Sequence, residues 1–345
     1  MSAPRVAVVG ATGAVGRIIL ATLERRGFVA SEIVAFASAR SAGTAIEGVG
    51  EVRPLTDETI AGFDLALFSA GGGVSREWAP RFAAAGAVVV DNSSAWRMDP
   101  DVPLVVAEVN PEAIDGAVKS IVANPNCTTM VVMLPTKALH DAFGLREMVC
   151  TSFQAAGGAG RSGIDELAAQ VPVLGERLDL LVADGHSAAR LVSSEVHANT
   201  LAFNVVPMLG KLGDNGHTDE EMKLQDESRK ILNLPDLRVS PTCVRVPVMV
   251  GHAVSVKATF ERAVDLGSAN AALADFPNLV VEEAPTPLEW AGRDETAVGR
   301  VRVDLADDHA LDFFVVGDNL LKGAALNTVQ LAELAVGRGL VGRSV

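Results

Sequence analysis

The chain has 345 residues, 49% of them hydrophobic, and a formal net charge of −14. This length exceeds what one ordinary core holds, so we expect two domains. The acidic balance, without clustered Lys and Arg, argues against nucleic acid as a partner, and the absence of tyrosine excludes dehydrogenases that use a Tyr/Lys pair as the proton donor.

The N-terminal stretch predicts the start of a dinucleotide-binding fold. RVAVVG at 5–10 predicts a strand, GATGAVG at 10–16 a glycine turn, and 17–27 has helical spacing. Glycines in such a turn let backbone N–H groups approach a pyrophosphate at the helix N-terminus. The spacing G-x-x-G-x-x-G departs from the usual G-x-G-x-x-G, so a purely structural turn is the alternative. The stretch lacks the basic region and cleavage site of a signal peptide, and no apolar run is long enough to predict a membrane span.

The second predicted strand, 32–38, ends beside residues that favour NADP. A fold that prefers NAD usually places Asp or Glu there, to bond the ribose 2′-hydroxyl. This chain instead has Ser38, Arg40 and Ser41, and a cation with hydroxyls suits a 2′-phosphate. A solvated loop arginine is the alternative interpretation.

Two more strands, 64–70 and 87–93, end in small or polar residues, as strands do when their carboxyl ends face a ligand. The glycine run SAGGG at 69–73 indicates backbone close to the nicotinamide half of the cofactor. Arg97 follows the later strand, within SSAWRM. It is either a ligand-binding cation or part of a structural Trp/Arg packing corner.

Cys127 lies in NPNCTT, where a predicted strand gives way to a helix. We expect Asn126 or Cys127 to cap a helix that begins at Thr128, and Pro135 leaves the length of that helix open. A cysteine at a helix N-terminus faces the positive end of the macrodipole, which lowers a thiol pKa and raises the thiolate fraction. The sequence therefore predicts a reactive cysteine.

The other two cysteines, Cys150 and Cys243, lie in predicted strand interiors and are expected to be buried and inert. Three well-separated cysteines, with no C-x-x-C and no Cys/His cluster, predict no metal site. They fit a reducing compartment, and we expect a cytoplasmic protein.

A nicotinamide cofactor and a thiolate together define a reaction class. The thiolate adds to an aldehyde, the hemithioacetal loses hydride to the cofactor, and the resulting thioester passes to water or to phosphate. His252 is the candidate base because it follows an apolar strand at 243–250; a satisfied core histidine is the alternative. Arg245, in the same strand, needs an anion, from either a protein carboxylate or a substrate. The remaining histidines lie in polar or charged segments and are expected at the surface: His140, His186, His197, His217 and His309.

These motifs together resemble the aspartate-β-semialdehyde dehydrogenase family, nearly from end to end. The resemblance rests on GATGAVG, SAGGG, DNSSAWRM, NPNCTT, SFQAAGGAG, EEMKLQDESRKIL, RVPVMVGHA and DNLLKGAALNTVQ. The combination of NPNCTT, SFQAAGGAG and RVPV followed by GHA is specific. It implies NADPH-dependent, reversible reduction of L-aspartyl 4-phosphate to L-aspartate 4-semialdehyde through a cysteine thioester. The biosynthesis of lysine and diaminopimelate, methionine, threonine and isoleucine uses this reaction.

The resemblance also implies roles for the candidate residues. Cys127 would be the nucleophile, His252 its acid/base partner, and Gln154 the residue that orients substrate and acyl intermediate. Arg245 would bind the substrate α-carboxylate, and Glu220, or alternatively its neighbour Glu221, the amine. Phosphate would be held by Arg97, Asn126 and Lys223. Cofactor contacts are expected at Gly10, Thr12, Gly13, Ala14, Val15, Ser38, Arg40, Ser41, Ser69, Gly71, Gly157, Gly158 and Asn319.

The implied fold is α/β, with a Rossmann-type NADP-binding domain and an α+β catalytic and dimerisation domain. The first would comprise residues 1–129 and 321–345, and the second 130–320, as part of a homodimer. A final helix at 321–339 would return to the nucleotide domain. Strands of the second sheet are expected at 148–154, 243–250, 253–260, 300–305 and 311–319.

Three other functions are alternative interpretations of the sequence. Another thioester-forming reductase of acyl phosphates, such as an N-acetylglutamyl-phosphate or glyceraldehyde-phosphate enzyme, lacks the RVPV–GHA and EEMK–RKIL segments in this form. A redox-sensing nucleotide-binding protein would leave Gln154, Arg245 and His252 without a function. A hydrolase built on Cys127 and His252 would leave the glycine-rich start unexplained.

Overall fold

The computed structural model describes residues 3–38 and 41–342, which form two compact units. The first unit takes the chain up to Asn126, then Glu227–Pro235, then the chain from Leu321 onwards; the second comprises Cys127–Asp226 and Asp236–Leu320. The first expected boundary, after residue 129, lies three residues later, and the expected nucleotide-binding domain does not include the segment Glu227–Pro235. That segment joins the first unit because Lys230 Nζ donates to three backbone carbonyls there, those of Arg97, Asp99 and Val102.

The first unit is built on a six-stranded parallel sheet, in the order β5-β2-β1-β6-β7-β8. Apart from the exposed edge strand at 53–54, its strands are largely buried, as expected of a parallel sheet covered by helices, and a single apolar core includes the final helix of the chain. The predicted Rossmann-type fold is therefore confirmed. The strands are β1 (Arg5–Val9), β2 (Glu32–Ala37), the short antiparallel pair β3 (Ala45–Ile46) and β4 (Gly50–Glu51), β5 (Arg53–Pro54), β6 (Leu65–Phe68), β7 (Val88–Asp91) and β8 (Ile121–Ala123). The helices before residue 127 are α1 (Ala14–Arg25), α2 (Gly72–Ala84) and the 3₁₀ turn Pro111–Gly116.

The second unit has a mixed six-stranded sheet, in the order β10-β9-β11-β14-β13-β12. Its strands are β9 (Leu145–Gln154), β10 (Arg238–Arg245), β11 (His252–Phe260), β12 (Leu279–Val281), β13 (Thr296–Val303) and β14 (Ala310–Gly317). The helices that lie wholly in this unit are α3 (Cys127–Phe143), the 3₁₀ turn Ala156–Ala159, α4 (Gly160–Gly175), α5 (Leu178–Ala183), α6 (Gly185–Ala189), α8 (Leu266–Ala274) and α9 (Pro287–Trp290). Helix α7 (Asp219–Leu232) begins in this unit and ends in the first. Helix α3 packs against β9, β11 and β14.

Several elements differ from their predicted extents, among them the strand expected at 300–305, which is β13 (Thr296–Val303). The strand expected at 243–250 ends at Arg245, because Pro247 has no N–H to donate to a ladder; the backbone beyond it accepts hydrogen bonds from the turn Ala156–Ala159 instead. The single helix expected at 321–339 is a π-helical turn, Leu321–Leu326, followed by α10 (Asn327–Gly337).

One histidine is not where the sequence predicted it. His197 was expected at the surface, but it is buried, and its Nε2 lies 3.2 Å from the Gly163 carbonyl oxygen. The Glu166 carboxylate accepts the backbone N–H groups of 195–197 and draws this polar segment inward. Among residues 3–38 and 41–342, no helix combines the length and the apolar character needed to cross a membrane.

Candidate active site

Three predicted side chains meet at one edge of the mixed sheet. The parallel strands β9 and β10 end at Gln154 and Arg245, which are partners in the register. Strand β11 runs antiparallel to β9 and begins at His252, so its first residue lies at the edge where β9 ends. Strand order and direction therefore bring together residues that are about 90 positions apart in the sequence.

Cys127 is the first residue of α3, one residue earlier than the predicted helix start. The helix continues through Pro135 without a break, and its first turn after Cys127 is buried. The Cys127 Sγ lies 3.2 Å from His252 Nε2. The structure thus places a half-buried thiol at a helix N-terminus, within hydrogen-bond reach of an imidazole.

His252 is fully buried, and both of its ring nitrogens have a neighbour. The backbone N–H of Ala155 donates to Nδ1 at 3.0 Å. Burial, and secondarily the charge of Arg245, hold the pKa of His252 well below its ordinary value, so the ring is neutral at neutral pH. A neutral imidazole that accepts at Nδ1 carries its proton on Nε2, the nitrogen that faces the thiol.

Arg245 donates from Nη1 to the Ala155 carbonyl oxygen at 2.7 Å. Burial lowers the pKa of Arg245, whereas the negative forms of Cys127 and Glu220 act in the opposite direction. The backbone of Ala155 therefore binds both His252, through its N–H, and Arg245, through its carbonyl. Ala155 was not a candidate in the sequence because its methyl side chain neither titrates nor forms hydrogen bonds.

The absence of a side chain at Gly158 leaves the Arg245 guanidinium in its observed position. A Cβ at this position would lie 2.7 Å from Arg245 Nη1 and 3.3 Å from the His252 ring. The neighbouring Gly157 is also tightly surrounded, since a Cβ there would lie 2.9 Å from the Met249 carbonyl oxygen. The SFQAAGGAG motif thus leaves open space beside the arginine and the histidine.

The two adjacent glutamates at the start of α7 have different environments. Glu221 accepts the backbone N–H groups of Thr218, at 2.9 Å, and of Cys243, at 3.1 Å. The first of these bonds forms a capping box at the start of α7, and the second links the helix to β10. Both therefore give the Glu221 carboxylate a structural role. Glu220 instead lies 3.0 Å from Lys223 Nζ, and the two carboxylates of Glu220 and Asp219 outweigh the effect of burial and raise the pKa of Lys223. The Glu221 carboxylate is therefore engaged by the backbone, whereas Glu220 contacts a side chain.

Arg97 and Asn126 lie together in the first unit, around a buried carboxylate. Glu227 accepts from Arg97 Nη1 at 2.9 Å and from the Asn126 backbone N–H at 2.6 Å. Arg97 also donates from Nε and Nη2 to the carbonyls of Asn124 and Asn92. The predicted phosphate-binding cation is therefore held rigidly, by a glutamate that the sequence analysis did not select.

Cys150 and Cys243 have the inert character that the sequence predicted. Both are buried, and burial raises the pKa of each thiol to about 12. Neither competes with Cys127 as a nucleophile, because the thiolate is the reactive form.

Comparison with known proteins identifies the family. Residues 5–117 match the NAD binding domain of semialdehyde dehydrogenases, and residues 136–322 match their dimerisation domain. The chain is 50% identical to the aspartate-semialdehyde dehydrogenase of Corynebacterium glutamicum, over 96% of this chain and 99% of that one. The chain belongs to the aspartate-semialdehyde dehydrogenase family. The predicted family and the prediction of an oxidoreductase are thereby confirmed.

Solved structures of aspartate-semialdehyde dehydrogenases have the same fold. The Vibrio cholerae aspartate semialdehyde dehydrogenase II, complexed with ASA, has a TM-score of 0.90 at 39% identity and covers 98% of this chain and 99% of its own. The Candida albicans enzyme with NADP has a TM-score of 0.74 at 25% identity and covers 99% of this chain and all of its own.

The residues of the NAD-binding unit fit the dinucleotide that this family uses. Helix α1 begins at Ala14, directly after the glycine turn, so its first N–H groups are available to a pyrophosphate. A Cβ at Gly10, where φ is +86°, would overlap the Ser69 carbonyl oxygen, and one at Gly16 would overlap that of Gly10. The turn between β1 and α1 therefore requires glycine at both positions.

Other predicted cofactor-binding residues lie at the start of α2, after β2 and after β14. Helix α2 begins inside the glycine run, at Gly72, with Gly71 in the left-handed region at φ +83°. Ser38 is exposed and accepts the N–H of Ser41, whereas Arg40 lies outside the described residues. In the second unit, Asn319 Oδ1 accepts the N–H of Gly251, while its buried Nδ2 has no hydrogen-bond partner among the described residues. A buried amide donor without a partner is suited to a carbonyl acceptor such as a nicotinamide carboxamide.

Two structural roles had a signal in the sequence. The sequence has a capping-box pattern, in which Thr218 is followed three residues later by Glu221. This pattern would have excluded Glu221 as the candidate for binding the substrate amine. Glu227 lies four residues after Lys223 and seven after Glu220, so a helix places all three on one face. That spacing could have distinguished Glu227 from the other charged residues of α7.

Proposed function

We propose that this chain catalyses the reversible, NADPH-dependent reduction of L-aspartyl 4-phosphate to L-aspartate 4-semialdehyde, through a thioester on Cys127. The observation that carries the proposal is the 3.2 Å contact between Cys127 Sγ and His252 Nε2, at a helix N-terminus and beside Arg245. The product would serve the synthesis of lysine and diaminopimelate, methionine, threonine and isoleucine. Because the thiol must stay reduced to react, a cytoplasmic setting belongs to the proposal.

Substrate recognition follows from the charges at the edge of the mixed sheet. Arg245 is a buried cation that can pair with the substrate α-carboxylate, and Glu220 is a carboxylate that can accept the substrate ammonium. Gln154, 1% exposed, would orient the carbonyl under attack. A dicarboxylic amino-acid derivative presents these groups in complementary positions.

Phosphate would be held by Arg97, Asn126 and Lys223. Of these, Arg97 is fixed in direction by its hydrogen bonds, and Lys223 is paired with Glu220 and Asp219. The acyl phosphate would enter with its charge partly matched by two cations. Departure of phosphate then leaves the acyl group on Cys127.

When bound, NADPH supplies the hydride, and NADP is the form proposed because Ser38, Arg40 and Ser41 suit its 2′-phosphate. In the reductive direction, the Cys127 thiolate attacks the acyl carbon and the bond to phosphate breaks, leaving the thioester; the departing phosphate takes its proton from solvent. Hydride addition to that carbon gives an alkoxide. The carbon–sulfur bond then breaks, releasing the aldehyde and regenerating the thiolate.

His252 would serve this sequence chiefly as a hydrogen-bond donor. The role of acid/base partner, which the resemblance implies, would require an unprotonated Nε2 to take the thiol proton, whereas the bond from Ala155 to Nδ1 favours a protonated one. Nε2–H can stabilise the Cys127 thiolate and then the alkoxide of the tetrahedral intermediate. None of the bond changes above requires His252 to become doubly protonated.

The test is NADP⁺ reduction by the purified protein with aspartate semialdehyde, with and without inorganic phosphate. We expect phosphate-dependent NADPH formation that Cys127→Ser abolishes. Cys150→Ala is the matched control, because it removes a buried thiol whose raised pKa keeps it unreactive, and it should retain the rate. Turnover without phosphate would make water the acceptor, and turnover in Cys127→Ser would reject the thioester.

We also propose that the chain forms a homodimer. The support is the match of residues 136–322 to a dimerisation domain and the apolar side chains that this region exposes. Leu178, Val182, Phe203 and Val205, within this region, are each more than half exposed. Light scattering of the purified protein distinguishes a dimer from a monomer or tetramer.

A further inference from the structure

A buried glutamate on α7 has no role in the proposed reaction. The Glu227 side chain is 1% exposed, although the first turns of the same helix carry solvated charges. Its Oε1 accepts from Arg97 Nη1 and its Oε2 from the Asn126 backbone N–H. One carboxylate thus holds both the proposed phosphate-binding cation and the backbone N–H of the residue that precedes Cys127.

Stability alone is a weak reason for this buried pair. Taking a carboxylate and a guanidinium out of water costs several kcal/mol per ion, and apolar residues of similar volume are often at least as stabilising. A carboxylate provides what an apolar side chain does not, namely two acceptors in fixed directions. Glu227 uses both of them, one for a side chain and one for the backbone.

Glu227 completes a cage around the Arg97 guanidinium. Nε donates to the Asn124 carbonyl at 2.9 Å and Nη2 to the Asn92 carbonyl at 2.8 Å. With the bond to Glu227, three of the five N–H groups of a guanidinium are used in the described part of the chain. One N–H on each terminal nitrogen is left for a bidentate anion.

We propose that Glu227 is a positioning residue for the phosphate-dependent step. It fixes the direction of Arg97 and of the Asn126 peptide, and its negative charge weakens the attraction of Arg97 for phosphate. Phosphate is therefore held in one orientation but released readily. This inference rests on the proposed role of Arg97 as a phosphate-binding cation.

The test measures kcat and KM for phosphate, in the oxidation of aspartate semialdehyde, for wild type, Glu227→Gln and Asp226→Asn. Rates are expressed per Cys127 thiol that iodoacetamide titrates in the folded protein. A glutamine offers one acceptor to two donors, so either Arg97 or the Asn126 N–H faces an amide nitrogen. We expect kcat to fall about tenfold or more, with no rise in the KM for phosphate.

Asp226→Asn is the matched control because it removes a carboxylate from the adjacent position of α7. Asp226 contacts Gln225, not Arg97, and its variant should change neither constant by more than about twofold. A rise in the phosphate KM of Glu227→Gln would mean that Glu227 only supports a binding contact. Unchanged constants per thiol with a lower melting temperature would mean a structural role. Either result overturns the proposal.

A double-mutant comparison keeps the proposal testable if Glu227→Gln does not fold. Arg97→Gln and the double variant Arg97→Gln/Glu227→Gln both avoid a buried guanidinium without its counter-charge. If Glu227 acts through Arg97, the second substitution should change kcat by less than about twofold in the Arg97→Gln background. A full additional effect would overturn the inference. A wild-type enzyme without phosphate dependence would overturn the proposed function, and this inference with it.

Discussion

Arg97 and Arg245 are both predicted to bind an anion, yet the structure surrounds them differently. Arg97 faces the buried carboxylate of Glu227 and two backbone carbonyls. Arg245 donates to the Ala155 carbonyl, and none of the ion pairs formed by residues 3–38 and 41–342 includes it. One cation is compensated inside the protein, whereas the other is buried with its charge largely unmatched.

The difference indicates what each arginine contributes. A compensated guanidinium adds little net charge, so Arg97 contributes direction more than attraction. A buried cation without a counter-ion is costly unless a ligand supplies the anion. Arg245 is therefore the residue from which we expect most of the affinity for the substrate carboxylate, and the following predictions test this contrast.

The largest expected effect is that of Arg245→Gln. Removing a charge-assisted, buried contact to the substrate should lower kcat/KM for aspartate semialdehyde about 100-fold, mainly through KM. Arg97→Gln should instead act on the phosphate constants and leave the KM for the semialdehyde within about threefold of wild type. Steady-state kinetics with each substrate varied in turn would measure both. Equal effects of the two variants on the semialdehyde KM would remove the distinction between the arginines.

A smaller effect is expected from Gly158→Ala, which adds one methyl group beside Arg245. The new Cβ would lie 2.7 Å from Nη1, so the guanidinium has to move. Because misplacement of a binding group by a fraction of an ångström impairs orientation, we expect kcat/KM to fall about tenfold. Gly175→Ala, at the end of α4 with nothing near its Cβ, is the control and should retain activity and melting temperature. Wild-type kinetics for Gly158→Ala would show that Arg245 is not confined as the structure indicates.

The contrast between the arginines also shows which parts of the site were accessible from the sequence. The glycine turn, the NPNCTT helix start and the candidate His252 follow from local patterns, and the predicted fold class is confirmed. Glu227 was missed because burial of a charged helical residue depends on partners about 100 positions or more away in the chain. Strand β10 ends before the predicted position because of Pro247. The prediction followed the apolar pattern of 243–250 and gave too little weight to this proline. The contribution of Ala155 could not be predicted, because it comes from a backbone N–H and a backbone carbonyl, which do not depend on the residue type.

The smallest expected effect is on stability and concerns His252. Its pKa in the folded protein lies below the ordinary value of 6.5 because of burial and, second, the charge of Arg245. As the pH falls through 6.5, the unfolded chain binds a proton at this position and the folded protein does not, so the free energy of unfolding decreases. The decrease amounts to at most about 1.4 kcal/mol per pH unit, down to the folded pKa.

Urea denaturation at pH 7.0 and pH 5.5 would measure the change in the free energy of unfolding for wild type and for His252→Gln, whose side chain does not titrate. The difference between the two changes is the contribution of His252. The wild type should lose more stability than the variant on acidification. The groups that face His252 are Cys127, Arg245 and the Ala155 peptide, so Arg245→Gln should raise the folded pKa and reduce the loss, whereas Arg97→Gln should not. An identical pH dependence in wild type and His252→Gln would mean that the pKa of His252 is the same in the folded and the unfolded protein. The lowering of this pKa by burial and by the charge of Arg245 would then be wrong.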